Sequence, residues 1–414
     1  MNNHPLFRFE SRRDFLRRGA AASAVMTFST TAPGILCQAV AQTPRNDRIL
    51  VVVEMAGGND GLNTIVPYRD PAYRKARPQL AIDGDSVLNI SSEIGLHPSC
   101  RGFADLLERG QFAVVQGVGY EQPNRSHFES MDIWHSCQRK GEGRLDGWLG
   151  RYLEQSSAAE SNDPAAIHLG FDKQPFALMS RDVRVPSIRS LAQFRLRGGE
   201  SPRFREAIDQ LLETDGDRSR NDLLGFVQAS TSNAITSSRR MESSGTKYQP
   251  SKPYPTSGLG EKMATVAKLI AGGLQTRVYY VRIDGFDTHA NQADAHAALL
   301  REVSEAVGCL VSDVSAHGDG DRLMVMCFSE FGRRVAENAS EGTDHGTAGP
   351  VLLAGASVRA GLVGRHPSLT DLDQGDLKYH TDFRQVYAAI IEDWLEANSS
   401  PVLGGDYEAL DLFS

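Results

Sequence analysis

The sequence has few cysteines, no long apolar run and no excess of positive charge. Its five cysteines include no Cys-x-x-Cys pair, so no spacing in the chain requires a disulfide. No apolar run reaches the length that spans a membrane. The formal net charge is -8, and the acidic and basic residues are spread along the chain, so neither nucleic acid nor anionic lipid is an expected partner.

What is present is the composition of a folded protein. Hydrophobic residues make up 40% of the chain and charged residues 23%, which is enough apolar material for a sizeable core. These proportions exclude a collagenous, a fully disordered or a polytopic membrane protein.

The N-terminal segment carries an export pattern. Ser11-Arg12-Arg13-Asp14-Phe15-Leu16-Arg17 is followed by a weakly hydrophobic stretch from Gly19 to Leu36 and then by Ala39-Val40-Ala41. This order predicts a twin-arginine (Tat) signal peptide over residues 1–41 and a periplasmic or secreted protein, with the Tat translocon as partner during export. Leu36 precedes Cys37, where lipid attachment requires a small residue, so no stable membrane anchor is expected. The alternative is an amphipathic N-terminal helix with an arginine face.

Short apolar runs alternate with helical patterns along the rest of the chain. Strand patterns cover residues 49–53, 112–116, 277–283, 323–328 and 351–354. Apolar positions at three- and four-residue spacing predict helices over 102–109, 259–274, 292–314 and 383–395. The alternation predicts an α/β fold: one mostly parallel central sheet with helices on both faces.

One segment departs from this alternation. Residues 197–257 are rich in serine, arginine and asparagine and end on Pro250, Pro253 and Pro255. We therefore expect residues 42–414 to form a single domain with a helical and loop insertion over about 197–257.

Polar residues follow several of the predicted strands where each strand ends. Asp284 to His289 follow strand 277–283, Ser329 to Arg334 follow strand 323–328, and Asp60 follows the first strand. Asp344 and His345 lie in a glycine-rich loop before strand 351–354. Loops at one edge of a parallel sheet meet in space, and these side chains are oxygen and nitrogen donors for zinc, manganese, magnesium or calcium. The pattern predicts a shared site for one or two divalent cations, with ligands Asp60, Asp287, His289, Glu330 and His345.

Each of these residues also has a structural interpretation when taken alone. Asp60 and Asp344 stand beside glycine, where aspartate commonly caps its own backbone in a turn. Glu330 could pair with Arg333 at a strand end. His289 and His345 could be loop histidines with satisfied hydrogen bonds.

Ser126 has two interpretations that are compatible with each other. A hydroxyl beside a divalent cation ionises more easily and can attack a phosphorus or sulfur centre. Glu129 stands three residues after Ser126, which is the spacing of a capping box at the start of a helix.

Five motifs together resemble the signature of a secreted bacterial family, domain of unknown function 1501. They are Gly57-Gly58-Asn59-Asp60-Gly61-Leu62-Asn63, Ser126-His127-Phe128, Gly285-Phe286-Asp287-Thr288-His289-Ala290-Asn291-Gln292, Ser329-Glu330-Phe331-Gly332-Arg333 and Thr343-Asp344-His345-Gly346. The family is grouped with alkaline phosphatases, sulfatases and cofactor-independent phosphoglycerate mutases. The resemblance implies an alkaline phosphatase-like fold with a metal site at the carboxyl edge of its sheet.

Carried over by position, the resemblance implies roles for single residues. Ser126 matches the nucleophile, Asp60 the metal ligand after the first strand, Asp287 and His289 the ligands of one metal, and His345 the late histidine. His127 is grouped with Ser126 and Arg333 as catalytic, with Arg333 binding the substrate anion. The chain has Glu330-Phe331 where phosphatases of that superfamily carry Asp-His, and it has no formylglycine motif of true sulfatases.

Two functions are therefore open at this stage. The first is a periplasmic metal-dependent hydrolase of small phosphate or sulfate esters. The second is a binding or scaffolding protein that keeps the fold but has lost turnover, which the missing histidine favours. The cysteines leave a further question open: Cys309 and Cys327 are expected to be buried thiols, whereas Cys100 and Cys137 could form a bridge.

Overall fold

The computed structural model describes residues 47–143, 145–156, 163–170, 173–189 and 248–414. The expected signal segment 1–41 and residues 197–247 of the expected insertion lie outside these ranges, so both remain predictions. The last ten residues of the insertion, 248–257, are described and lead into a helix that begins at Gly258.

Fourteen strands are described, and most belong to one sheet. In chain order, β1 to β14 are Ile49–Met55, Ile65–Val66, Leu88–Asn89, Gly95–Leu96, Phe112–Gly119, Ala166–Leu169, Ser187–Ile188, Val278–Ile283, Leu323–Phe328, Gly349–Gly355, Gly361–Val363, Leu372–Asp373, Asp376–Leu377 and Thr381–Asp382. The described α-helices α1 to α9 are Gly61–Thr64, Pro71–Ala76, Arg101–Glu108, His127–Ser136, Trp148–Gln155, Gly258–Ala271, Gln292–Ala316, Phe383–Ala389 and Ser399–Leu403. A π-helical turn, Ile390–Trp394, continues α8.

The nine-stranded central sheet has the order β11-β5-β10-β9-β1-β8-β6-β7, and β14 also pairs with β5. Strand β1 lies in the middle and pairs in parallel with β8 and with β9. Strand β10 is antiparallel to both β9 and β5. The sheet is thus mostly parallel, as the sequence predicts, with one reversed strand.

Both faces of this sheet are covered by helices. All seven residues of β1 are buried, because a central parallel strand has apolar neighbours on each side. Ile49, Val51 and Val53 share one core with apolar residues of α3, α6 and α7. Leu50 and Val52 share the other core with residues of α4, α5 and α8. The predicted three-layer α/β arrangement is confirmed.

The direction of β10 decides which loops can meet. The carboxyl ends of β1, β8 and β9 share one edge because these strands are parallel. Strand β10 runs the other way, so its amino end lies at that same edge. The loop before β10 therefore joins the loops after β1, β8 and β9.

Two smaller findings complete the description of the fold. The four described cysteines are free and buried: Cys100, Cys137, Cys309 and Cys327. Cys100 and Cys137 are therefore two thiols and form no bridge with each other. Among the described residues, none of the helices combines the length and the apolar character that crossing a bilayer requires.

Candidate metal centre

Asp287 is the meeting point of three histidines at this edge of the sheet. Its Oδ1 lies 3.1 Å from Nε2 of His345 and 3.0 Å from Nε2 of His289. Its Oδ2 lies 3.4 Å from Nε2 of His127. The Nε2 atoms of His289 and His345 are themselves 2.9 Å apart. One carboxylate and three imidazoles thus direct their ligand atoms to one place.

The other nitrogen of each ring is already engaged. Nδ1 of His127 pairs with Oε1 of Glu330 at 2.7 Å, and Nδ1 of His289 faces Oδ1 of Asp344 at 3.3 Å. Nδ1 of His345 donates to the backbone carbonyl of Arg125 at 2.9 Å. When Nδ1 donates, the neutral ring leaves Nε2 as an unprotonated acceptor, which is the arrangement found in metal-binding histidines.

The donor set fits a divalent cation. Nε2 of His127 is buried and has no hydrogen-bond partner, although it faces the carboxylate of Asp287. Ligand atoms of His127, Asp287 and His345 all lie within 4.8 Å of one another. Bonds of about 2.0–2.1 Å in a tetrahedron separate neighbouring ligand atoms by about 3.3 Å, close to the contacts at Asp287.

The loop after β1 can approach the loop after β8 closely because residue 57 is glycine. Gly57, in the loop after β1, has φ of 119°, and a Cβ there would lie 2.5 Å from the backbone nitrogen of Asp287. Its N–H donates to Oε1 of Glu330 at 2.9 Å. A side chain at position 57 would push the loop after β8 away from the loop after β1.

The local charges keep Asp287 ionised. Burial raises the pKa of Asp287, but the hydrogen bond from Arg333 and the contact with His345 outweigh it and bring the pKa down to about 2. The hydrogen bond to Glu330 raises the pKa of His127. Side-chain exposures of 47% for Asp287 and 44% for His289 leave the cluster open to solvent on one side, so a small molecule can reach it.

Residues 47–390 of the chain match a family model described as "Protein of unknown function (DUF1501)". The chain belongs to the DUF1501 family. The resemblance seen in the motifs is thereby confirmed. A comparison with curated proteins finds no match.

Solved structures of 9% identity resemble this DUF1501 protein along most of its length. The match to the C-terminal periplasmic domain of EcEptC from Escherichia coli covers 84% of this chain and 82% of that domain, with a TM-score of 0.36. The lipoteichoic acid synthase LtaP from Listeria monocytogenes covers 89% and 76%, and PsFucS1 sulfatase from Pseudoalteromonas sp. covers 86% and 68%, both with TM-scores of 0.36.

Glu330 of the DUF1501 protein is a partner of a candidate ligand and does not itself face the cluster. Oε1 accepts from His127 and from the backbone of Gly57, and Oε2 accepts from Ser329 Oγ at 2.9 Å. The side chain is 2% exposed. Both oxygens of Glu330 are therefore occupied, Oε1 by His127 and Oε2 by Ser329, and the expected ligand role stays a prediction that these contacts do not support.

Arg333 is likewise an internal support. Its guanidinium donates to the carbonyls of Gly58 at 2.6 Å, Thr343 at 2.7 Å and Phe286 at 3.0 Å, as well as to that of Gly57. It also donates to Oδ1 of Asp287 at 2.7 Å, and its side chain is fully buried. These acceptors take up its donors, so the expected role in binding a substrate anion stays a prediction that this geometry does not support.

Asp60 follows β1 as expected, but its carboxylate points into the protein. Oδ2 pairs with Nη1 of Arg77 at 2.6 Å, with both side chains fully buried, and accepts from Gln292. Oδ1 accepts from the N–H of Asn63 at 3.4 Å and so caps α1. The structure thus brings Asp287, His289 and His345 together and leaves Asp60 out of the cluster, so the ligand role of Asp60 stays a prediction that this geometry does not support.

Ser126 occupies the N-cap position of α4, yet its side chain makes no capping hydrogen bond. The capping box expected with Glu129 is not formed. The residue is exposed and stands between Arg125, whose carbonyl holds His345, and His127 of the cluster. The neighbouring Phe128 is 87% exposed, so this end of α4 is open.

The sequence of the DUF1501 protein indicated some contributors to the site and gave no signal for others. Asp344 stands in the same motif as His345, which gave a signal, but its partner His289 is 55 residues away. The carbonyl of Arg125 gives no sequence signal, because every residue has one. Asp284, a second acid after β8, is 60% exposed and pairs with Arg282 outside the cluster.

Proposed function

We propose that this protein is an exported, metal-dependent hydrolase of phosphate or sulfate esters. The observation that carries the proposal is the convergence of three imidazole Nε2 atoms on Asp287. Each ring is fixed through Nδ1 by a carboxylate or a carbonyl. Such second partners orient ligands for a cation and are not needed by isolated surface histidines.

The donor chemistry favours one zinc ion over manganese, magnesium or calcium. His127, Asp287 and His345 are the inner ligands, and His289 lies within reach as a further one. Imidazole-rich sites suit zinc and related transition metals, whereas magnesium and calcium prefer oxygen ligands. When bound, the cation would polarise the ester and make a nearby hydroxyl easier to ionise.

Ser126 is the nucleophile of the proposed reaction. Its hydroxyl is exposed, is free of the cap hydrogen bond and stands next to His127 in the chain. Attack by Oγ on phosphorus or sulfur would form a new bond to serine while the bond to the alcohol breaks. Water would then release the inorganic anion.

The test compares two N-cap serines. Purified protein is reconstituted with zinc or manganese and assayed with p-nitrophenyl phosphate and p-nitrophenyl sulfate. Ser126→Ala is expected to lose most turnover and keep the wild-type melting temperature. The control is Ser257→Ala, because Ser257 does cap its helix by accepting from Gly260 at 3.1 Å. It should lose about 1 kcal/mol of stability and keep the rate. Unchanged turnover in Ser126→Ala would remove Ser126 from the reaction.

A non-catalytic metal-binding role is the second candidate. Among the described residues, no imidazole or carboxylate hydrogen-bonds the hydroxyl of Ser126, so no general base is in place for it. The same assay decides: a protein that binds metal fully but turns over neither ester would be a binding or scaffolding protein.

Export by the Tat pathway is part of the proposal. Arg12 and Arg13 lie in the predicted signal segment, and the paired guanidinium groups are what the export receptor reads. Replacing both by lysine should leave the precursor in the cytoplasm, whereas wild-type protein should appear in the periplasm beginning near Gln42. Efficient export of the double-lysine variant would contradict this route.

A further inference from the structure

We propose that Arg125 and Arg334 bind the tetrahedral oxyanion of the ester, and that the buried Asp376 holds both arginines for this task. The inference rests on the proposed function, since it concerns the same cluster. It assigns the anion-binding role that Arg333 cannot take, because the donors of Arg333 are used within the protein.

Both arginines are tied to the cluster through their backbones. The carbonyl of Arg125 accepts from Nδ1 of His345 at 2.9 Å. The N–H of Arg334 donates to the carbonyl of Asp344 at 3.0 Å. Arg125 thus approaches the site from the start of α4, and Arg334 approaches it from the loop after β9.

Their side chains meet at one carboxylate. Nη2 of Arg125 donates to Oδ2 of Asp376, and Nε of Arg334 lies 3.6 Å from Oδ1. Asp376, in the hairpin β12–β13, is 1% exposed, while each arginine side chain is 37% exposed. The carboxylate of Asp376 is thus buried, and the guanidinium groups of Arg125 and Arg334 lie between it and the solvent.

The arginines keep donors for a ligand. A separation of 3.6 Å is too long for a hydrogen bond, and Oδ1 of Asp376 has no hydrogen-bond partner. Arg334 therefore donates no side-chain hydrogen bond among the described residues, and Arg125 donates to Asp376 alone. Asp344 also interacts electrostatically with Arg334, so what the two arginines offer a ligand is their free N–H donors.

A guanidinium group presents paired N–H donors that match two oxygens of a phosphate or sulfate. Two such groups, on residues whose backbones contact His345 and Asp344, can hold the oxygens that do not leave with the alcohol.

The test measures binding without turnover. Metal-loaded wild type, Arg125→Gln and Arg334→Gln are titrated calorimetrically with inorganic phosphate and, separately, with sodium sulfate. Each variant should raise the dissociation constant of the preferred anion about tenfold while keeping wild-type metal content. Arg334→Lys, which keeps the charge, should recover part of the loss. The matched control is Arg359→Gln, since Arg359 is an exposed arginine paired with Asp411 elsewhere, and it should bind like wild type.

The outcomes separate this inference from the proposed hydrolysis. Wild-type affinity for both anions in both variants would overturn the inference, as would a wild type that binds neither anion. Arginine-dependent anion binding without turnover of any ester would support the inference and contradict the hydrolase. Wild-type turnover in Arg125→Gln and Arg334→Gln would contradict the inference and support the hydrolase. The ratio of phosphate to sulfate affinity tells which ester the site prefers.

Discussion

Nδ1 of His127 lies 2.7 Å from Oε1 of Glu330, and this contact fixes the side of the ring that faces Asp287. The same carboxylate oxygen accepts from the N–H of Gly57 at 2.9 Å. One buried acid thus joins the loop after β9, the loop after β1 and the start of α4. The candidate ligand His127 depends on a residue that never faces the cluster.

The first prediction concerns this support. Glu330→Ala should weaken metal binding about 10- to 100-fold without removing a ligand, because the His127 ring loses its orientation. Glu330→Gln should lose less, since its amide oxygen can still accept from His127. Competition with a chromogenic chelator measures both affinities. Equal metal affinity in Glu330→Ala and wild type would show that Glu330 does not orient the ring.

The second prediction separates Asp60 from the metal site. Asp60→Asn should cost about 3–5 kcal/mol of unfolding free energy, because Arg77 stays buried without its counter-charge. Metal content should remain that of wild type. The control is Asp105→Asn, which breaks an exposed pair with Arg101 and should cost less than about 1 kcal/mol. Loss of the metal from a folded Asp60→Asn protein would restore Asp60 as a ligand.

The third prediction tests the internal role of Arg333. Arg333→Met leaves the loop carbonyls and Asp287 without a buried donor, so urea unfolding should show a loss of about 3–5 kcal/mol. Arg334→Met, at the next and partly exposed position, should change stability by less than about 1 kcal/mol. Similar stabilities for the two variants would contradict the assignment of Arg333 as a structural support.

The fourth prediction concerns stability at acidic pH. Burial lowers the pKa of His97 to about 4, below its ordinary value of 6.5. Between these values the unfolded chain binds a proton that the folded chain does not, so stability falls as the pH falls from 6.5 towards 4. In the wild type the N–H of Ser99 donates to Nδ1 of His97 at 3.0 Å. The His97→Asn variant keeps an acceptor for this N–H.

Urea unfolding of chelator-treated protein at pH 7 and pH 5 measures this effect. Wild type should lose about 2 kcal/mol more than His97→Asn between the two pH values. The chelator removes the separate pH dependence of metal binding. Parallel losses in the two proteins would show that His97 is not held neutral by the fold.

Much of the fold could be predicted from the sequence because its strands are short apolar runs with polar ends. Local patterns predict the apolar strand β1, the length of helix α7 and the polar loop after β8. The prediction that Asp287, His289 and His345 meet followed from one rule, that loops at the same sheet edge converge. That rule uses the position of a residue along its strand and does not use the direction of its side chain.

Side-chain direction is what the sequence could not supply. Asp60 and Asp287 follow neighbouring strands at the same edge, yet Arg77 draws the carboxylate of Asp60 into the core. Arg333 and Arg334 are adjacent and chemically identical, yet one is fully buried among carbonyls and the other is 37% exposed. These outcomes depend on tertiary contacts, with Arg77 17 residues from Asp60 and Gly58 275 residues from Arg333, and local patterns do not contain such contacts.

The most direct test of the central claim is the metal content of four proteins. Wild type, His127→Ala, His345→Ala and a control, His317→Ala, are stripped with chelator, reloaded with zinc or manganese, dialysed and analysed by elemental mass spectrometry. His317 is the control because it lies at the end of α7 and contacts Asp313 there. We predict about one ion per chain for wild type and His317→Ala, and little or none for His127→Ala and His345→Ala. A wild type that takes up no ion, or equal metal content in all four proteins, would contradict a metal centre at Asp287.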